Sequence, residues 1–234
     1  MRVEAPCPRC PATHSLNVSH LPRVQLATER YIKQAEQWPS QGKHILAHYD
    51  AETIVVYQAY RPSIGTYAIE HGAFGGDFSY SRMSWIKPNF LWMMYRSGWG
   101  TKEGQDTTLA LRLRRAFFDD LLAQAVASSF DLSDYTTHDD WASAVANSAV
   151  RLQWDPDHDP NGKPLLRRAI QLGLRGSVLE PFGRRELLDV IDMTEFVAVQ
   201  RQQLLTLGLA QLKTPVERTY IPSHAAIARR LRLD

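Results

Sequence analysis

The chain has 234 residues, 44% of them apolar, enough for one large domain with a substantial core. Its 27 Lys and Arg against 25 Asp and Glu leave a net charge of +2, so whole-molecule charge selects no partner and only local clusters carry an electrostatic argument. The two cysteines, Cys7 and Cys10, give the body neither a disulfide framework nor a thiol nucleophile, and no apolar run approaches the roughly 20 residues of a membrane span, so the chain is read as cytoplasmic with no membrane partner.

Residues 1–43 mix Pro, Cys, His and polar residues without a sustained period and are expected to form an N-terminal extension, with one short helix in "LATERYIKQAEQW". Cys7, Cys10, His14 and His20 have the ligand types of a zinc knuckle. Only three residues separate Cys10 from His14, however, and a lone C-x-x-C is a weak signal, so a flexible extension without zinc is expected. Residues 44–234 then read as a single domain. "TIVVYQAY" is apolar on both faces, as in a strand covered on both sides. "PSIGTYAIEHGAFGG" reads as a helix closed by glycines, and "FSYSRMSWIK" as a second strand. A buried helix is expected from Pro88 to Ser97, since proline suits a first turn and Gly98 stops it. "TTLALRLRR" alternates Leu with Ala and Arg, predicting a strand with one oily and one basic face, and "AFFDDLLAQAVASSF" predicts an amphipathic helix behind it. Thr137 followed by Asp140 resembles a capping box at the start of another helix. "VRLQWD" and "RAIQLGLRG" predict two more strands, and "TEFVAVQRQQLLTLGLAQL" a long helix before a basic tail. Strands interleaved with helices predict a mixed α+β fold.

The stretches "AHYDAETIVVYQAYRPSI", "SRMSWIKPNFLWMMYRSGWGTKEGQ", "LQWDPDHD", "AIQLGLRG" and "PVERTYIP" resemble the domain-of-unknown-function family numbered 4291, over about Ala47 to Pro222. The resemblance implies that these stretches are the family's signature, and it brings no established activity. Their chemistry is therefore argued from the residues.

Seven cations fall between Arg82 and Arg115, against Glu103 and Asp106. Arg82 lies among aromatic and hydroxyl neighbours, where a guanidinium can stack on a ring or clamp a phosphate. Lys87 stands at a helix start, whose amides and dipole favour an anion, and Arg96 is on that helix. The bland alternative is that these cations pair with acidic residues or snorkel to water around a packed core. Gln58, Gln153 and Gln171 each interrupt an apolar strand-like run. A buried amide left unpaired costs about 1–3 kcal/mol, so each either satisfies neighbours or reads the edge of a ligand. Asp155 ends a strand run beside Gln153, where a general base or ribose contact could sit. In "DPDHDPNG", Pro160 and Leu166 occupy positions where a calcium loop needs Gly and Glu, so a rigid acidic turn without metal is expected.

These residues lead to an enzyme handling a nucleotide or nucleic-acid phosphate. Arg82, Lys87 and Arg96 are its anion clamps, and Gln58, Tyr60, Gln153 and Gln171 contact the uncharged part. The order of elements is similar to that of ADP-ribosyltransferases that use NAD, a fold-level analogy. In that reading Gln58 or Arg61 holds the cofactor ribose, Tyr80 stacks on nicotinamide, and Glu180 or Asp155 stabilises the oxocarbenium ion; no clear Q-x-E or E-x-E pair marks the acid. The rival is a non-catalytic RNA- or DNA-binding module using "LALRLRR" and Arg229, Arg230 and Arg232. A third reading, an interaction protein, makes the signature stretch core alone.

Overall fold

A computed structural model describes residues 26–132 and 134–234. The chain opens with strand β1 (Thr28–Arg30), helix α1 (Tyr31–Ala35) and two short strands, β2 (Gly42–Lys43) and β3 (Leu46–Ala47). Then come β4 (Thr53–Tyr60), α2 (Pro62–His71), β5 (Ser84–Ile86), α3 (Phe90–Ser97), β6 (Thr107–Arg114) and α4 (Arg115–Gln124). A two-residue strand, β7 (Val126–Ala127), and α5 (His138–Asn147) precede the long hairpin of β8 (Val150–His158) and β9 (Pro164–Leu174). The chain ends with α6 (Leu179–Gly183), β10 (Leu187–Asp192), α7 (Thr194–Leu207), β11 (Lys213–Pro215), β12 (Arg218–Thr219) and α8 (Ala225–Leu231). This is a single α+β domain.

Two sheets organise it. One is antiparallel, in the order β10-β6-β4; the other runs β2-β9-β8-β7, with β5 joining the free stretch of β9. Ile54, Val56, Leu109, Leu111 and Leu113 from the first sheet pack with Ile86, Leu152, Ile170, Leu172 and Leu174 from the second in the main core. The opposite face of the first sheet, with Val55, Tyr57 and Ala110, is covered by Phe90, Leu91, Met93 and Met94 of α3. β4 is thus buried on both faces, as its unbroken apolar run predicts. The sheets touch at one isolated bridge, where Tyr57 donates to the Lys87 carbonyl (2.6 Å) and Lys87 donates back (3.3 Å).

Several local expectations are met. Pro62 opens α2 and Gly72, at φ 63°, closes it; Thr137 caps α5, its hydroxyl oxygen accepting from the Asp140 amide (3.1 Å). Others need correction. Of "FSYSRMSWIK" only Ser84–Ile86 is strand. The preceding residues turn instead, because Phe78 stacks on Phe74 at 4.5 Å and meets Tyr80 edge-on, a ring cluster that alternating strand faces could not form. Helix α3 starts two residues late, since Asn89 caps it by accepting from the Trp92 amide (2.6 Å), and it exposes Tyr95 and Arg96. On β6 the expected basic face is mostly apolar cover: Thr108 and Ala110 are fully buried, leaving Arg112 and Arg114 at one end.

The extension expected over residues 1–43 also divides differently. From Leu26 onward it belongs to the body: β1 pairs with β11, β2 lies parallel to β9, and the Gln34 amide group donates to Thr214 Oγ1 (2.9 Å) and accepts from the Glu217 N–H (2.8 Å). Buried Trp38 and Gln34 hold this segment in place, and their contacts lie about 180 residues away in sequence. Cys7, Cys10, His14 and His20 lie outside the described residues.

Candidate functional site

The sheet register assembles the site. Ser84, Trp85 and Ile86 lie opposite Leu174, Gly173 and Leu172, and Gln171 lies opposite Gln153. Period-two alternation turns Ile86, Leu172 and Leu152 into the core and leaves Lys87, Gln171, Gln153 and Asp155 on the other face. Gln171 Nε2 donates to one oxygen of Asp155 and Gln153 Nε2 to the other, both at 2.8 Å. The two amides fix the plane of the carboxylate. Across the bridge, the end of β4 contributes Gln58 and Tyr60. Gln58 Nε2 donates to Ser84 Oγ (2.8 Å) and to the Trp85 carbonyl (3.0 Å), and the Tyr60 hydroxyl shares a hydrogen bond with the same Ser84 Oγ (2.8 Å).

Gln58, Tyr60, Ser84, Gln153 and Gln171 line one inner chamber of about 510 Å³, with Lys87 and Arg96 in its wall and Asp155 behind the two glutamines. Lys87 is only 4% exposed, and among the described residues its ammonium makes no hydrogen bond or ion pair. Burial, and secondarily Arg96, pull its pKa down from 10.5 to about 8, while Asp155 pushes the other way. Gln58 is equally buried, and its carbonyl oxygen Oε1 has no partner among the described residues. The unanswered Lys87 cation stands in the wall of the chamber, and the neighbouring Gln58 oxygen is buried beside that wall without a donor. Natural interiors pair such groups, so an unpaired set points to something that enters and pairs with them.

α3 supports this arrangement from below. The buried Glu217 carboxylate accepts from the Phe90 amide (2.8 Å) and from Asn89 Nδ2 (3.4 Å), anchoring the turn directly after Lys87. Burial drives the Glu217 carboxyl well above its ordinary range. Further along, Tyr95 stacks on His158 with ring centroids 3.5 Å apart, and Trp92 stacks on the same imidazole, docking α3 on β8 and fixing Arg96.

A second, outer chamber of about 320 Å³ shares Tyr60, Met83 and Ser84 with the first. Arg61 and Arg82 line it. Arg61 pairs with Asp77 at 3.2 Å with both side chains largely exposed, whereas the Arg82 side chain has no partner among the described residues. Of the sequence candidates, Gln58, Tyr60, Lys87, Arg96, Gln153 and Gln171 therefore come together at the inner chamber, with Asp155 bonded to the two glutamines behind its wall, and Arg61 and Arg82 at the outer.

Tyr80 and Glu180 stand elsewhere. The Tyr80 hydroxyl donates to the Phe74 carbonyl (2.9 Å) beneath the Arg184 guanidinium, and Glu180 is exposed on α6 facing Arg184 at 3.6 Å. A strand over Phe78–Lys87 would set Tyr80 and Arg82 on one face, but the chain is strand only from Ser84 to Ile86. Ser84, the hydroxyl joining Gln58 to Tyr60, and Gln105, on the chamber wall, were not singled out in the sequence; neither stands out by type, and only the folded register brings them in.

The acidic loop disperses its carboxylates. Asp157 is buried and bound by Arg167 Nε (2.8 Å) and Nη2 (2.6 Å), Asp159 caps the turn by accepting from the Asn161 and Lys163 amides, and Asp155 is held by Gln153 and Gln171. Most cations of the basic strand and tail have partners within the protein, while Arg229 is exposed. Arg112 donates to Thr53, Arg114 faces Glu186, Arg230 donates to the Ala125 and Leu122 carbonyls, and Arg232 binds Asp131 and Asp134. These last two line a larger cavity of about 690 Å³ beside Trp154 and Arg168.

The fold and site define an α+β protein with a polar two-chambered cleft at the seam of its sheets. The chain belongs to the family described as Domain of unknown function (DUF4291), which matches residues 44–220. No curated protein matches the chain. No described helix is long and apolar enough to cross a membrane.

Proposed function

We propose that the cleft binds a nucleotide, most concretely NAD, and transfers its ADP-ribosyl group. The observation that carries this reading is the inner chamber itself: a buried, unanswered Lys87 beside Arg96, with a rigidly held Asp155 on the same polar face. The positive field of Lys87 and Arg96 draws an anion inward, and Arg82 extends that field to the outer chamber. The amides of Gln153 and Gln171 on the chamber wall suit the polar edge of a carboxamide or a base. Trp85 on the wall offers a flat apolar surface to a ring. In transfer from NAD the bond between C1′ and the nicotinamide nitrogen breaks with its electron pair leaving on nicotinamide, an acceptor atom bonds C1′, and the acceptor's proton passes to a base. Asp155, the carboxylate bonded to Gln153 and Gln171 behind the chamber wall, is assigned the stabilisation of the positive charge that develops at C1′.

The test is a thermal-shift titration of the full chain with NAD, repeated on Arg96→Ala. A ligand bound only by the folded state raises the melting temperature with its concentration. NAD should stabilise the wild-type chain and act much less on the variant, with nicotinamide appearing in the mixture. A wild-type chain unmoved by millimolar NAD at low salt rules the reading out; stabilisation without nicotinamide release leaves a binding module in its place.

A further inference from the structure

We infer that Lys87 is a nucleophile, its Nζ attacking C1′ of the bound ribosyl group to form a covalent lysyl–sugar intermediate. This rests on the NAD reading of the same chamber and goes beyond it. A lysine whose task is only to bind phosphate works best at a wet surface, where it stays charged at little cost. Lys87 is instead nearly sealed at the bridge between the sheets, its backbone fixed by the paired bonds to Tyr57 and by the α3 cap two residues later. Its only described opposite charge on this face, Asp155, is held away from a salt bridge by Gln153 and Gln171. The Arg96 guanidinium can hold a phosphate and also disfavours a second cation beside it. The result is an amine half neutral near pH 8, and the neutral form is the one that attacks carbon.

The chemistry balances without an oxidant or reductant. The Nζ lone pair bonds C1′ as the bond to nicotinamide breaks and its electron pair departs with nicotinamide. The surplus Nζ proton passes through water to the Asp155 carboxylate. The lone pair then left on Nζ expels O4′ from C1′, O4′ takes up that proton, and the product is an open-chain protonated imine (iminium) on Lys87. Water returns the amine and releases the sugar as its aldehyde, which closes to the hemiacetal. An acceptor amine or hydroxyl entering through the outer chamber could replace water in the same step.

An imine is trapped by mild hydride reduction. The full chain is incubated with NAD and sodium cyanoborohydride, and its mass and peptides are read, with free ADP-ribose in a parallel arm to reveal non-enzymatic reaction. The expected result is one reduced ADP-ribosyl adduct at Lys87, absent from Lys87→Arg and forming faster as pH rises through about 8. Asp155→Asn should slow adduct formation while leaving the NAD-induced thermal shift in place. Nicotinamide release undiminished in Lys87→Arg overturns the inference, as do adducts spread over other lysines and equal with free ADP-ribose. A thermal shift with no adduct removes the covalent step alone. No thermal shift removes the NAD reading and the covalent step together.

Discussion

Replacing Lys87 with Met should make the protein more stable. The lysine's pKa falls from 10.5 unfolded to about 8 folded. At about 1.4 kcal/mol per unit, holding this ammonium in the chamber costs about 3 kcal/mol at neutral pH. The unfolded chain binds the proton more tightly, so wild-type stability rises with pH across the interval from 8 to 10.5, and the whole penalty applies below it. Met keeps the length and apolar stem of lysine without its charge. In a domain of this size about 3 kcal/mol corresponds to roughly 5–10 °C in melting temperature. The assay is thermal and urea unfolding of both chains at pH 7 and pH 10, read as a difference between them, because buried Tyr57 and Tyr60, both with raised pKa, add alkaline effects common to the two. The gain should be large at pH 7 and small at pH 10. A variant less stable than wild type at pH 7, or a gain equal at both pH values, would refute the view of Lys87 as an unanswered buried cation.

Glu217 gives the opposite pH sign to most carboxylates. Its folded pKa is raised by burial, so its contribution is fully present below its unfolded value and lost as pH climbs through the folded one. Glu217→Gln, which still offers an oxygen to the Phe90 amide, should flatten that fall in unfolding measured from pH 4 to 8; an unchanged profile contradicts it. Arg167→Met strands the buried Asp157 carboxylate and should cost about 3–5 kcal/mol in urea unfolding, whereas adding Asp157→Asn should recover much of it. A Cβ on Gly65 would lie 2.4 Å from Thr107 Cγ2, so Gly65→Ala should shift α2 and cost about 1–3 kcal/mol; a loss under ~0.5 kcal/mol would mean the helix yields freely.

The inner chamber was readable because its residues break a local rule. Gln58, Gln153 and Gln171 interrupt runs that are otherwise apolar, and Lys87 precedes, and Arg96 sits on, a helix whose other residues apart from Tyr95 are buried. Each departure from the apolar pattern needs a reason, and one cavity supplies it for all of them. Register was not readable. Nothing in "SWIK" says that it pairs with the end of β9, and without that pairing Lys87 and Gln171 have no stated relation. Tyr80 failed for a related reason. Alternation was extended through Phe78–Met83, where the rings of Phe74, Phe78 and Tyr80 gain more by clustering around a turn than by facing opposite sides of a strand. The first segment was misjudged because Gln34 and Trp38 are anchored near the far end of the chain, and local composition carries no trace of contacts that distant.

The same energetics ties the fold to the proposed chemistry. Strand β4 carries Val55, Val56 and Tyr57 fully buried, then Gln58 with an unpaired oxygen one residue later, at the point where the second sheet arrives. Lys87 meets β4 at that same point through the Tyr57 bridge. The sheets could have closed this seam with apolar side chains, as they do throughout the main core. They hold it open with an unanswered ammonium and an unanswered amide oxygen, and the surrounding core is large enough to tolerate both. A ligand that answers the Lys87 charge and the Gln58 oxygen together recovers what both lack. The two should therefore be coupled: Lys87→Met should stabilise the free protein, Gln58→Leu should destabilise it because it also removes the bonds to Ser84 and to the Trp85 carbonyl, and each should weaken the NAD-induced thermal shift. In the double variant the ligand-dependent losses should add to less than the sum of the single ones. Strict additivity of the two substitutions would mean that they serve separate ligands, and the seam would lose its claim to be one site.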